Sequence, residues 1–87
     1  MRYHYKYKVC KTIWSTDEKE ELFTNHYIGT FAKKKRAEEF VHEKDNIEMW
    51  KNEYKQDMKI SSMAIDIETW CVEKEDMVDA ETYLYFD

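Results

Sequence analysis

The sequence has no proline, a single glycine and only two cysteines among its 87 residues. The lone Gly29 excludes the usual glycine-rich phosphate-binding loops, because those loops need several glycines close together. Cys10 and Cys71 are too few and too far apart for a disulfide framework, so we expect free, buried thiols. With no proline, repeat or low-complexity linker to mark a boundary, residues 1–87 predict one domain with a modest core.

The sequence also lacks any run that approaches the roughly 20 apolar residues of a membrane helix. Its polar, aromatic first residues do not resemble a signal peptide, so we expect a cytoplasmic protein without a membrane partner. The three histidines and two cysteines show no metal-ligand spacing. We therefore expect no metal, no cofactor and no enzymatic activity.

Charge is abundant but unevenly distributed along the chain. The net charge is −5, and 38% of residues are charged. Residues 1–44 contain ten Lys or Arg against seven Asp or Glu, whereas residues 45–87 contain four against twelve. This difference predicts an acidic surface that repels nucleic acid and attracts basic protein surfaces.

Two strands are predicted in the first third of the chain. Apolar and basic residues alternate through residues 2–14, and this period of two indicates a half-exposed strand. Residues 25–31 predict a second strand, in which Gly29 indicates a bulge or a close backbone approach. The polar residues 15–21 are interpreted as the loop of an antiparallel hairpin, or as one helical turn capped by Asp17.

A helix is expected to follow directly over residues 32–44. Asp45 and Glu48 have the spacing of a capping box, so the helix is expected to break near Asp45 and restart, or to bend. Residues 61–73 alternate again and predict a third strand, with a fourth strand or a docked tail over residues 81–87. The predicted fold is α+β: a three- to four-stranded, mostly antiparallel sheet with one long or broken helix packed on one face.

The expected core is formed by apolar residues that recur at strand or helix spacing. It comprises Tyr5, Tyr7, Val9, Ile28, Phe31, Ala37, Phe40, Val41, Ile47, Tyr54, Ile65 and Ile67.

Four cations occupy the predicted start of the helix. Lys33, Lys34, Lys35 and Arg36 oppose the helix dipole, which favours acidic residues at this end. Clustered cations beside free helix N–H groups can bind phosphate, so this run is one candidate site. The alternative is a solvated helix start without a ligand.

The second candidate site is the acidic last third of the chain, where aromatic residues are interspersed among the acids. Such residues can imitate the charge of a nucleic-acid backbone and anchor a protein interface. The alternative is ordinary surface acid above core aromatics. The candidate residues are Asp66, Glu68, Trp70, Glu73, Glu75, Asp76, Asp79, Glu81, Tyr83 and Tyr85.

The segments Tyr27–Phe31 and Ala37–Phe40, preceded by a Tyr-x-Val pattern near the start, resemble small accessory proteins encoded by bacteriophages of Gram-positive bacteria. In those proteins a strand ending in I-G-x-F leads into a helix with A-E-x-F. The resemblance implies a non-enzymatic inhibitor of a host defence or nucleic-acid-handling protein, such as a CRISPR nuclease.

Three functions are therefore carried forward as expectations. The first is an inhibitor that presents its acidic face to a basic host protein in the bacterial cytoplasm. The second is a nucleic-acid-binding module that uses the cationic run together with Lys6 and Lys8. The third is a structural homodimer that pairs exposed edge strands.

Overall fold

A computed structural model describes residues 2–17 and 20–87 of the chain. The elements follow in the order β1 (Tyr5–Asp17), β2 (Glu20–Phe31), α1 (Lys34–His42), α2 (Lys44–Gln56), β3 (Ile60–Cys71) and β4 (Asp76–Phe86). The four strands form one antiparallel sheet in the order β2-β1-β3-β4. The α+β class and the antiparallel sheet predicted from the sequence are thus confirmed.

The β1–β2 hairpin is longer than the sequence predicts. Residues 15–17 and 20–22 continue the two strands, with Asp17 paired to Glu20, so the predicted loop or helical turn is wrong. Polar residues extend the strands here because each strand supplies the backbone partners of the other. Glu18 and Lys19, which belong to the predicted loop, lie outside the described residues.

Gly29 lies beside an irregularity of the hairpin. The register of β1 with β2 shifts between Val9 and Cys10, which pair with Gly29 and Tyr27. A Cβ atom at Gly29 would lie 3.0 Å from Cε2 of the Phe31 ring. The register shift beside Gly29 agrees with the predicted bulge. The predicted alternative, a close backbone approach, is not what the structure has, because the nearest atom belongs to the Phe31 side chain.

Two helices follow instead of one. A single extended residue, Glu43 (φ −64°, ψ 130°), separates α1 from α2. The predicted cap at Asp45 is wrong, because Asp45 lies within the first turn of α2 and the N-cap position is Glu43, without a side-chain capping bond. The amide of Asn46 instead donates a 2.8 Å hydrogen bond to the Phe40 carbonyl and so bridges the junction.

Both helices pack on one face of the sheet and bury a single core. Its buried residues are Val9, Ala37, Val41, Trp50, Met63, Ile65 and Ile67. Tyr5 is 43% exposed, so its assignment to the core is wrong, and Ile47 is half-buried outside this cluster. The other expected core residues belong to the cluster or pack against it.

The opposite side of the sheet, called the open face below, is not covered by any other element of the described residues. Strand alternation and register bring to it side chains from all four strands. These include Lys6, Lys8, Cys10, Thr12 and Trp14 of β1, Phe23, Asn25 and Tyr27 of β2, Asp66, Glu68 and Trp70 of β3, and Tyr85 of β4.

Candidate protein-binding surfaces

The candidate acids lie on the turn between β3 and β4, on β4 itself and on the open face. Glu73 and Glu75 belong to the turn, which includes the one non-glycine residue with positive φ among the described residues, Glu75 at 52°. Asp76, Asp79 and Glu81 follow on β4, which is an edge strand. Every residue from 72 to 82 is exposed, so these five carboxylates all face solvent along the turn and the edge strand. We call them the acidic rim below.

The turn is fixed to the start of the chain through Glu73. Both oxygens of its carboxylate accept hydrogen bonds from the backbone N–H of His4 at 3.0 Å, and His4 Nδ1 contacts the same group. The hydrogen bond from the His4 backbone lowers the pKa of Glu73 below its ordinary value of 4.5. One carboxylate of the acidic rim therefore has a structural partner.

Glu81 is also partly engaged. Its carboxylate lies 3.7 Å from Lys34 Nζ and accepts a hydrogen bond of 3.1 Å from the Tyr83 hydroxyl. The same hydroxyl lies 3.0 Å from Glu38, and burial together with these carboxylates raises the pKa of Tyr83. Among the described residues, Glu75, Asp76 and Asp79 have no ion pair, so they are the free charges of the acidic rim.

Asp66 and Glu68 are separated from the acidic rim by their position on the open face. Glu68 Oε1 accepts hydrogen bonds from Tyr27 at 3.0 Å and from the Trp70 indole at 2.9 Å. Partial loss of water around the Tyr27 hydroxyl and, second, its hydrogen bond to the Glu68 carboxylate raise the pKa of Tyr27. Lys8 is the cross-strand neighbour of Glu68, but its Nζ lies over the Trp70 and Tyr27 rings at 4.2 and 5.0 Å.

Cys10 and Thr12 are buried in the middle of the open face, where a polar side chain of β2 contacts both. Asn25 Oδ1 accepts hydrogen bonds from the Cys10 thiol and, at 3.2 Å, from the Thr12 hydroxyl. The cross-strand neighbour of Cys10 is Asp66, whose buried Oδ1 has no hydrogen-bond partner in the part of the chain that the structure describes. Burial, and then the nearby Glu68, raise the pKa of the Cys10 thiol, which disfavours the reactive thiolate.

An aromatic cluster lies at one end of the open face, where β1 ends and β2 begins. The Trp14 ring lies 6.0 Å from the Phe23 ring and 6.5 Å from the Tyr85 ring. Phe23 and Tyr85 are 61% and 57% exposed, whereas Trp14 is half-buried. Sequence reasoning placed Tyr85 in a candidate site but missed Trp14 and Phe23. The alternation of β1 and β2, if continued to the ends of the hairpin, puts both residues on the same face of the sheet.

The cationic run lies at the start of α1, as predicted, and all four of its residues are exposed. Lys34 contacts Glu81, and Arg36 forms an ion pair with Glu39 at 3.1 Å. Half of the run therefore has acidic neighbours. Nucleic-acid binding through this run stays a prediction.

The ten candidate residues of the last third thus do not form one site. Five form the acidic rim, and Asp66, Glu68, Trp70 and Tyr85 belong to the open face. Tyr83 packs against the core and lies with its ring 5.7 Å from that of His42.

Comparisons with known proteins and a search of the described residues for metal-binding groups add no further candidate function. No protein family, curated protein or solved structure matches this chain. Within residues 2–17 and 20–87, no three His, Cys, Asp or Glu side chains are grouped in a way that could hold a metal ion. The described helices include none with the length and apolar character needed to cross a membrane.

Proposed function

We propose that this protein is a non-enzymatic binding protein that inhibits a basic, nucleic-acid-handling host protein through its acidic rim. The observation that carries the proposal is the continuous exposure of residues 72–82, which hold five carboxylates and one lysine. Three of those carboxylates, Glu75, Asp76 and Asp79, have no counter-ion among the described residues. Free carboxylates on an exposed edge attract a basic surface over a range set by ionic strength.

The resemblance to bacteriophage accessory proteins suggests the kind of host target. A nucleic-acid-handling protein, such as a CRISPR nuclease, carries a cationic groove for its phosphate-rich ligand. A compact acidic edge that occupies this groove blocks the nucleic acid without any chemical reaction. The inhibition is therefore expected to be stoichiometric and to weaken as salt is added.

A matched pair of charge reversals tests the proposal. The test variant combines Asp76→Lys with Asp79→Lys, and the control combines Asp45→Lys with Glu48→Lys on the exposed side of α2. Both variants change the net charge by the same amount, so a difference between them cannot come from net charge alone. Glu75 is left unchanged because its positive φ makes substitution there a change in the turn as well.

Each tagged protein is immobilised and exposed to lysate of a Gram-positive bacterium, and retained proteins are eluted with increasing salt. We expect the original chain and the α2 control to retain the same nucleic-acid-binding protein, and the Asp76/Asp79 variant to lose it. Retention of that protein by all three would overturn the role of the acidic rim. Loss by both variants would show that net charge alone drives the binding, which also contradicts the proposal.

A further inference from the structure

The open face leaves several large aromatic side chains in contact with water. Phe23, Tyr27 and Tyr85 are each more than half exposed, and Trp14 and Trp70 lie beside them half-buried. Contiguous exposed aromatic residues on a small protein mark an interaction surface. A sheet also needs a second layer on each apolar face, and the helices supply only one.

We propose that the open face is the contact surface of a homodimer, in which two copies pack sheet against sheet about a two-fold axis parallel to the strands. This surface is separate from the acidic rim and goes beyond the proposed function. The dimer is a four-layer arrangement, with the two sheets inside and the helices outside. Aligned sheets of this kind pack about 10 Å apart.

The area of the face is sufficient for a stable dimer. Four strands spaced about 4.8 Å apart, each about 11 residues long with a rise of about 3.3 Å, cover on the order of 700 Å². A specific interface of standard size buries about 800 Å² on each partner. The open face therefore matches one interface without any contribution from the helices.

The charges of the face are complementary to a second copy. The cations Lys6 and Lys8 lie on β1, whereas the acids Asp66 and Glu68 lie on β3, and these two strands are the central neighbours. A two-fold axis between β1 and β3 places β1 of one copy over β3 of the other. Lys8 then faces Glu68 of the second copy at the same height along the strand, and the reverse contact forms as well.

The aromatic cluster fits the same axis. An axis parallel to the strands keeps corresponding ends of the two sheets together, so the cluster of Trp14, Phe23 and Tyr85 meets its own copy. Its rings become buried against one another in offset or edge-on contacts. The side chains named above for this face comprise two cations and two acids, and this balance favours a second copy over a strongly basic or a strongly acidic partner.

Opposite charge changes in two separate chains test this geometry. Lys8→Glu gives a face with only acids in these positions, and Glu68→Lys gives one with only cations. We expect each variant alone to lose dimer affinity by at least about 100-fold, because like charges then face each other. An equimolar mixture is expected to restore a dimer with one chain of each kind, measured by native mass spectrometry and sedimentation.

The second test compares single substitutions of two exposed apolar residues, neither of which forms a hydrogen bond with Glu68. Phe23→Ser on the open face is compared with Met49→Ser on α2, where Met49 is 55% exposed. We expect the Phe23 variant to be monomeric and the Met49 variant to remain dimeric, each with unfolding midpoints that show a folded chain. A monomeric original chain at micromolar concentrations, or a dimer unaffected by both Lys8→Glu and Phe23→Ser, would overturn the proposal. The latter result would point to pairing of edge strands instead.

Discussion

At the scale of single residues, Glu73 shows how one carboxylate can stabilise two separated segments. It joins the β3–β4 turn to the backbone of His4, which lies 69 residues earlier in the sequence. The Val72 N–H also donates a 2.9 Å hydrogen bond to the His4 carbonyl. Together these contacts extend the pairing of β1 and β3 beyond the last residues of the two strands.

The contribution of Glu73 is expected to depend on pH. Its pKa is lower in the folded chain than its ordinary value of 4.5, so its stabilising effect is complete above about pH 4.5. The effect is lost as the pH falls through the lower, folded-state value, where the carboxylate becomes protonated. We therefore expect Glu73→Gln to reduce stability at pH 7 and to have a smaller effect at pH 3, which lies below the ordinary pKa of 4.5.

Thermal unfolding at both pH values measures this difference, and hydrogen exchange of the His4 amide reports the local contact. Asp79→Asn is the control, because the Asp79 side chain has no hydrogen-bond or ion-pair partner among the described residues and its backbone has no positive φ. An equal effect of Glu73→Gln at both pH values would contradict the assignment.

At the scale of whole elements, alternation predicted the strands better than it predicted their ends. The faces of β1 and β3 are as expected: Ile65 and Ile67 are buried on the helix side, while Asp66 and Glu68 lie on the open face. The hairpin ends were not predictable from local patterns, because its polar residues are held by cross-strand pairing. Propensity alone cannot supply that information.

The start of β4 was missed for the same reason. Residues 76–80 contain two acids and are all exposed, so they resemble a connector, yet they pair with β3 along an edge. Trp50 and Met63, two of the largest buried side chains, were also absent from the expected core. Periodicity did mark both positions, because Trp50 recurs at helical spacing with Ile47 and Tyr54, and Met63 lies two residues before Ile65 on the same face of β3.

Tyr83 joins α1 to β4, beside the ion pair between Lys34 and Glu81. Its hydroxyl lies between Glu38 of α1 and Glu81 of β4, and it can donate its proton to only one of them at a time. Tyr83→Phe leaves two carboxylates close together without the donor between them. We expect a loss of about 1 kcal/mol in the free energy of unfolding at pH 7, measured in urea.

Alkaline pH separates this effect from a loss of packing. Because the pKa of Tyr83 is raised, its contribution is present below about pH 10 and is lost as the pH rises above that value. The difference between the original chain and Tyr83→Phe should therefore shrink at alkaline pH. Tyr85→Phe, on the exposed open face, is the control for removing a tyrosine hydroxyl that does not lie between two carboxylates.

At the scale of the whole molecule, the fold is a thin plate with one core. Its principal dimensions are 51 × 30 × 15 Å, and the buried apolar cluster lies between the sheet and the two helices. A small core of this kind leaves a narrow margin of stability, about 5–15 kcal/mol for domains in general. A single large core side chain therefore accounts for much of the margin.

Trp50 is the largest side chain of that core and is 1% exposed. We expect Trp50→Ala to cost about 3–5 kcal/mol and to lower the stability of every element together. Circular dichroism and urea unfolding of the variant measure the loss. Met58→Ala is the control, since Met58 is 98% exposed and its truncation should leave stability nearly unchanged. A stable, cooperatively folded Trp50→Ala chain would show that the core is not shared by all elements.

The central position of β1 has a consequence for how the chain is made. Of the four strands of this sheet, β1 leaves the ribosome first, and its hairpin partner β2 follows directly. The other edge of β1 pairs with β3, and the contact of Tyr5 with Cys71 spans most of the sequence. During synthesis that edge stays without its partner until both helices and β3 have emerged, and contacts between such distant residues form slowly. The nascent hairpin is therefore the stage at which this protein is most exposed to aggregation and most dependent on chaperones.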